Sequence, residues 1–176
     1  MKLERIEEFQ IGTAVHRAIW KLLQQAFPGY PDNRSFFKQL PDFRYLLWDG
    51  DELAAHMAVE HRLINNADQL LYIFGVVDLC VAPPFQHRKI ATQLLDQLTF
   101  LGKQNRIDFI LLQADNSALY ENNGFLPKEN LCQWLLINQN KTIGVVRRQL
   151  QQSLMVKPLG DKVWKPGLVD FLGHVF

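Results

Sequence analysis

The chain has 176 residues, 48% of them hydrophobic, with 19 Lys and Arg against 18 Asp and Glu and a formal net charge of +1. That length suits one domain, and the apolar share is enough for a core, which excludes a disordered chain. The near-neutral balance, with no block of like charges, argues against a nucleic-acid binder and leaves a small-molecule enzyme open.

Apolar residues at Val15, Ile19, Leu22, Leu23, Ala26 and Phe27 recur at three and four and predict a helix. Thr13 is the expected N-cap and Pro28-Gly29 the stop. Residues 30–40 read as a loop and a short second helix, ended by Pro41, and 45–48 as a strand. Asp49-Gly50-Asp51 is a turn signal, so 53–64 is the next strand of a hairpin. Asn65 to Asp68 turns the chain into 70–81, an apolar run expected to be a strand buried on both faces. Pro83-Pro84 ends it, and 86–103 reads as a helix with Ile90, Leu94, Leu95, Leu98 and Leu101 inward. A buried strand at 107–113, a short helix at 116–122 closed by Gly124, and a strand within 125–138 follow. The tail carries Val145-Val146, the apolar run 154–156 and Trp164-Lys165-Pro166-Gly167. Helices, a β-meander, then strand–helix–strand–helix–strand predict an α+β or mixed α/β layer fold with one sheet.

Cys80 and Cys132 each sit in an apolar run without a CxxC neighbour and read as buried small hydrophobes. The first residues lack the basic start and apolar stretch of a signal peptide, and no run approaches the ~20 apolar residues of a membrane span. The expectation is a soluble cytoplasmic protein without a membrane span. His16, His61, His87 and His174 show no metal-ligand spacing, so no metal is expected. Trp20, Trp48 and Trp134 read as core.

The most informative stretch runs from 76 to 95. A buried strand ends in prolines, and a short polar loop opens directly into a helix. Such a junction aims backbone N–H groups and a positive helix end at one spot, which suits a pyrophosphate. An ordinary β-α connection would look the same from this stretch alone. Asp78 is the only charged residue between 70 and 81, on a strand that otherwise reads as core. It is either a structural aspartate or a carboxylate whose raised pKa suits a general base.

Gln86-His87-Arg88-Lys89-Ile90-Ala91 resembles the cofactor loop of the GNAT acyltransferases, Gln/Arg-x-x-Gly-x-Gly/Ala, with Lys89 in the place of the middle glycine. The following helix, from Thr92, matches as well. The stretch 115–125 resembles the superfamily's Asn-x-x-Ala-x-x-Tyr-Glu-x-x-Gly-Phe segment at Ala118, Tyr120, Gly124 and Phe125. The chain is one residue shorter between Asn116 and Ala118. The resemblance covers roughly the middle half of the chain. It implies a single GNAT-like domain over 1–176, with one mostly antiparallel twisted sheet flanked by helices.

It also implies acetyl-CoA as acyl donor and transfer to the primary amine of a small-molecule acceptor. Asp78 would be the base and Tyr120 the acid that protonates the leaving thiolate. Leu79, Val81, Gln86, His87, Arg88, Lys89, Ile90, Ala91, Thr92 and Asn116 would hold the cofactor. A non-catalytic CoA-binding module, or a longer acyl donor, are the other readings. The assembly is left open, with a homodimer among the options.

Leu53 to Val59, with the Ala55-His56 pair, and Arg62-Leu63-Ile64 resemble a strand of the nodulation N-acyltransferases and the aminoglycoside 2′-N-acetyltransferases. The terminal Trp164-Lys165-Pro166-Gly167-Leu168-Val169-Asp170 is similar to their Trp-x-x-Gly segment. On that resemblance Trp164 and Asp170 face the acceptor, His56 faces it too or is a strand histidine satisfied by a backbone group, and Phe36-Phe37 belong to the same pocket or to the core. The carboxylates that the aminoglycoside enzymes place around this tryptophan are Val163 and Leu168 here.

Overall fold

A computed structural model describes the backbone of residues 1–176 and every side chain except those of residues 151 and 152. The elements in order are strands β1 (Lys2–Glu7), helix α1 (Thr13–Ala26), β2 (Phe43–Asp49), β3 (Glu52–Asn66), β4 (Gln69–Val81), α2 (Ile90–Gln104), β5 (Phe109–Gln113), α3 (Ala118–Glu121), β6 (Leu126–Asn138), β7 (Lys141–Pro158) and β8 (Leu168–Asp170). The chain forms two compact units, Met1–Glu60 with Val77–Asp96, and His61–Val76 with Gln97–Phe176. β3, β4 and α2 run through both.

In the first unit, β1 pairs antiparallel with β2, and β2 with β3 through a tight turn at Gly50-Asp51. α1 buries Ile19, Leu22 and Leu23, the stripe its three-and-four spacing promised. Its N-cap position is Gly12, with no side-chain cap bond, so Thr13 is the first helical residue rather than the cap.

The short helix expected within 30–40 does not form. Pro31 and Pro41 bound the segment, and Asn33 takes a φ of 54°. The backbone carbonyls there are used by side chains instead. Arg34 donates to Phe37 O at 2.9 Å and Arg44 to Ser35 O at 2.8 Å. In a helix Ser35 O would accept from Gln39 N instead, and Pro41 has no N–H to give Phe37 O.

In the second unit, β4 pairs in parallel with β5, β5 antiparallel with β7, β7 with β6, and β8 lies parallel to β6 and antiparallel to β3. Ile64, Leu71, Ile73, Phe109, Leu111, Leu154, Val156 and Phe171 form its core, with Trp134 and Trp164 packed on it. Neither β1 nor β8 was expected from the sequence. Two buried asparagines tie the 164–167 segment down. Asn66 bonds both ways with the Lys165 backbone, and Asn130 donates to Lys165 O and Gly167 O. Gly75 leaves room for Phe176, since an added Cβ would stand 2.0 Å from that ring. Cys80 and Cys132 are both buried, unbridged thiols. No helix among the described residues is long and apolar enough to cross a membrane.

Candidate active site

Asp78 sits inside β4 with a φ of 52°. A left-handed non-glycine residue within a strand kinks it, as a β-bulge does. Around it Val77, Asp78 and Leu79 are all half-buried, after an unbroken buried run from Ile73 to Val76. The Asp78 carboxylate accepts a 2.6 Å hydrogen bond from the Tyr30 hydroxyl. Burial raises the Asp78 pKa, while the Tyr30 bond and the Arg44 and Lys38 charges oppose that rise. Burial and the Asp78 charge together push the Tyr30 phenol far up, so Tyr30 remains a donor. Tyr30 also meets Phe37 edge-on at 5.9 Å and Phe27 at 6.2 Å, which supplies an aromatic wall beside the carboxylate.

Behind Asp78 lies a buried polar chain. His56 is 0% exposed, and its Nδ1 stands 2.9 Å from the Asp78 carbonyl oxygen. A carbonyl only accepts, so Nδ1 carries the proton. The other ring nitrogen, Nε2, accepts from Arg44 Nη1 at 2.9 Å. Burial and the Arg44 charge push the His56 pKa down to about 3, so the ring is neutral. Arg44, itself 0% exposed, bonds the Glu8 carboxylate through Nε at 2.6 Å and Nη2 at 3.1 Å. The register places Arg44 and His56 diagonally on one face of the hairpin, opposite Ala58 and Leu46. Removing one partner from such a buried pair typically costs ~3–5 kcal/mol. Arg44, Glu8 and Tyr30 were missed from sequence. A lone arginine in a strand reads as a surface residue, and nothing local marks its partner 36 residues away.

His56 therefore lies beneath Asp78. A cavity of about 400 Å³ between α1 and the 33–40 segment is lined by His16, Trp20, Arg34, Ser35 and Phe36 among others. His16 Nδ1 reaches Ser35 Oγ at 2.7 Å.

The loop after β4 is exposed from Gln86 to Lys89, and the helix opens at Ile90 rather than at 86. His87 and Lys89 have φ of 61° and 59°. Lys89 thus holds the left-handed conformation for which glycine is the default residue, at a cost of ~1–2 kcal/mol. The first i→i−4 bond of α2 runs from Gln93 N to Lys89 O. The opening N–H groups of the helix are outside its ladder, with His87, Arg88 and Lys89 at its mouth. Gln86 Nε2 donates to Val81 O at 3.1 Å, and the Arg88 guanidinium covers the Phe85 ring. Ile90 is buried and Ala91 and Thr92 half-buried. A left-handed loop, a helix mouth and three basic side chains fit a pyrophosphate.

In the second unit, Tyr120 belongs to the single turn α3, shorter than the expected 116–122. Asn116 Oδ1 accepts from Ala118 N at 3.1 Å and so starts that turn. Gly124, at φ 82°, ends it, and Phe125 N returns to Tyr120 O. Phe125 is buried and meets the Tyr120 ring edge-on at 5.8 Å. Burial raises the Tyr120 pKa, so the phenol keeps its proton near neutral pH. Trp164 packs edge-on against Phe109 and donates its indole N–H to Asn130. Asp170 accepts from Gln133 Nε2 and from Leu172 N.

Residues 42–127 match the family described as an acetyltransferase (GNAT) domain. The fold is the GNAT fold. The GNAT N-acetyltransferase YhbS of Escherichia coli, solved in complex with CoA, is similar at a TM-score of 0.65 and 15% identity over 97% of this chain and 90% of that one. Tetrahymena GCN5 is similar at 0.63 and 14% identity, over 94% and 100%. Eis1 of Mycobacterium abscessus is similar at 0.61 and 13% over 76% of this chain, which spans only 34% of Eis1. No curated protein matches the sequence. The matched GNAT domain contains β2 to α3, and with them Asp78, the 86–89 loop and Tyr120. Just under half of the chain is thus similar to an acetyltransferase domain.

Proposed function

We propose that the protein transfers an acetyl group from acetyl-CoA to the primary amine of a small acceptor. The observation that carries this reading is the half-buried, left-handed Asp78, together with a loop whose Lys89 is left-handed in the place of the family's middle glycine. The helix mouth and the residues Gln86 to Lys89 would hold the pyrophosphate, and the backbone at Leu79 and Val81 would hold the pantetheine. Acetyl-CoA supplies an activated thioester.

Asp78 receives the proton that the amine nitrogen must lose as its bond to the acyl carbon forms. Its raised pKa brings its basicity nearer to that task. Tyr30 orients the carboxylate through its hydroxyl. Tyr120 holds a phenolic proton for the sulfur that departs as the carbon–sulfur bond breaks. Both groups then re-equilibrate with solvent.

The resemblance of the Ala55-His56 strand and the Trp164–Asp170 tail favours the nodulation and aminoglycoside 2′ branch. The tail has too few carboxylates for a polycation, which disfavours an aminoglycoside as the acceptor. The test is calorimetric titration of acetyl-CoA, then thiol release with a panel of primary amines. Saturable binding and turnover are expected, with Tyr120→Phe losing turnover but not binding. Absence of binding, or full activity in Tyr120→Phe across pH, would overturn the reading.

A further inference from the structure

We propose that Arg44 is a positioning residue for Asp78. By donating to His56 Nε2 it fixes the imidazole as the Nδ1–H tautomer, which in turn grips the Asp78 carbonyl and holds the left-handed kink. This inference rests on Asp78 being the base. The kink is strained for a non-glycine residue, and a strained conformation persists only where its surroundings over-determine it.

The surroundings here are specific. A neutral imidazole has one donor and one acceptor, and which nitrogen bears the proton is set by what the other one meets. The guanidinium has only donors, so it can meet only an unprotonated Nε2. The proton is thereby forced to the nitrogen that faces Asp78 O. Glu8 neutralises Arg44 through two bonds, and Ser35 O takes a third, so the guanidinium is aimed rather than merely present. The charged and titratable groups around this pair are Glu8, Arg44, Asp78 and Cys80, with Tyr30, Lys38 and Glu60 about the carboxylate. Arg44 touches no reacting atom in this scheme. It acts through His56.

The direct test needs no variant. Imidazole nitrogen chemical shifts of the intact protein should show His56 with Nδ1 protonated, Nε2 bare, and no titration between about pH 5 and 8. An Nε2–H ring, or a ring that titrates in that range, overturns the proposal. Arg44→Met, Arg44→Lys, His56→Asn and His56→Phe then separate the parts, with folding checked by circular dichroism. In folded Arg44→Met the imidazole loses the partner at Nε2 that holds it against Asp78 O, and kcat with the best amine of the panel should fall about 10- to 100-fold. KM for acetyl-CoA should stay unchanged. Arg44→Lys keeps a donor and should recover part of kcat. His56→Asn keeps a donor toward Asp78 O and should exceed His56→Phe. Parent-level kcat in folded Arg44→Met, with Asp78→Asn inactive, overturns the positioning role alone. Parent-level kcat in Asp78→Asn overturns the base itself.

Discussion

Asp78 combines two unfavourable states, a left-handed backbone and a carboxyl withdrawn from water. Its folded pKa lies above the unfolded value of ~3.9. The stability it contributes is therefore fully present below that value and is lost as pH rises through the folded pKa. Ionised Asp78 thus weakens the fold at neutral pH. Asparagine accepts the left-handed conformation readily and keeps an acceptor for Tyr30. Asp78→Asn should melt no lower than the parent at pH 7, converge with it near pH 4, and lose at least about 100-fold in thiol release. A clear drop in melting temperature at pH 7 would contradict this. Lys89 makes a separate prediction. A β-branched residue is a genuine outlier at φ 59°, whereas glycine is at ease there. Lys89→Val should weaken acetyl-CoA binding by about 10-fold or more, and Lys89→Gly by about threefold at most, measured by calorimetry. Lys89 and Asp78 were visible in the sequence as departures from their surroundings. That both adopt positive φ was not, because backbone conformation at a single non-glycine residue leaves no compositional trace.

At the scale of elements, local signals were legible and non-local ones were not. α1 and β4 follow from their own apolar patterns. β1 alternates Lys2, Glu4, Arg5 and Glu7 with few apolar residues, and becomes a strand because β2 offers it a ladder. β8 has three residues and exists only between β6 and β3. The 30–40 segment was expected to be a loop and a short helix, but it gives two of its carbonyls to arginine side chains. The β4 strand carries its own test. Gly75→Ala would drive a methyl into the Phe176 ring, and overpacking of this kind costs about 1–3 kcal/mol. The melting temperature should fall about 2–4 °C per kcal/mol, with partial recovery in Gly75→Ala combined with Phe176→Ala. An unchanged melt would mean the ring moves aside without cost.

For the whole molecule, the GNAT fold was legible because its two motifs are contiguous in the chain, at 86–91 and 116–125. The polar chain from Glu8 to Asp78 was not, since its members come from β2, β3, β4 and the turn after β1. If the loop holds acetyl-CoA, saturation at about 100 times Kd should add about 2.7 kcal/mol to stability. A thermal shift of roughly 5–10 °C follows for a chain of this length, and no shift would count against the donor. The two cysteines bear on how such activity is read. Burial and the Asp78 charge push the Cys80 thiol up, and burial pushes Cys132 up to about 12. Nucleophilic sulfur is thiolate, so both side chains are chemically silent in the native state. A disulfide reagent such as dithiobis-nitrobenzoate should titrate no sulfhydryl in the folded protein and two per chain once it is denatured. In a colorimetric assay of the proposed activity the protein then contributes no background, and every equivalent of yellow anion would report one molecule of CoA set free.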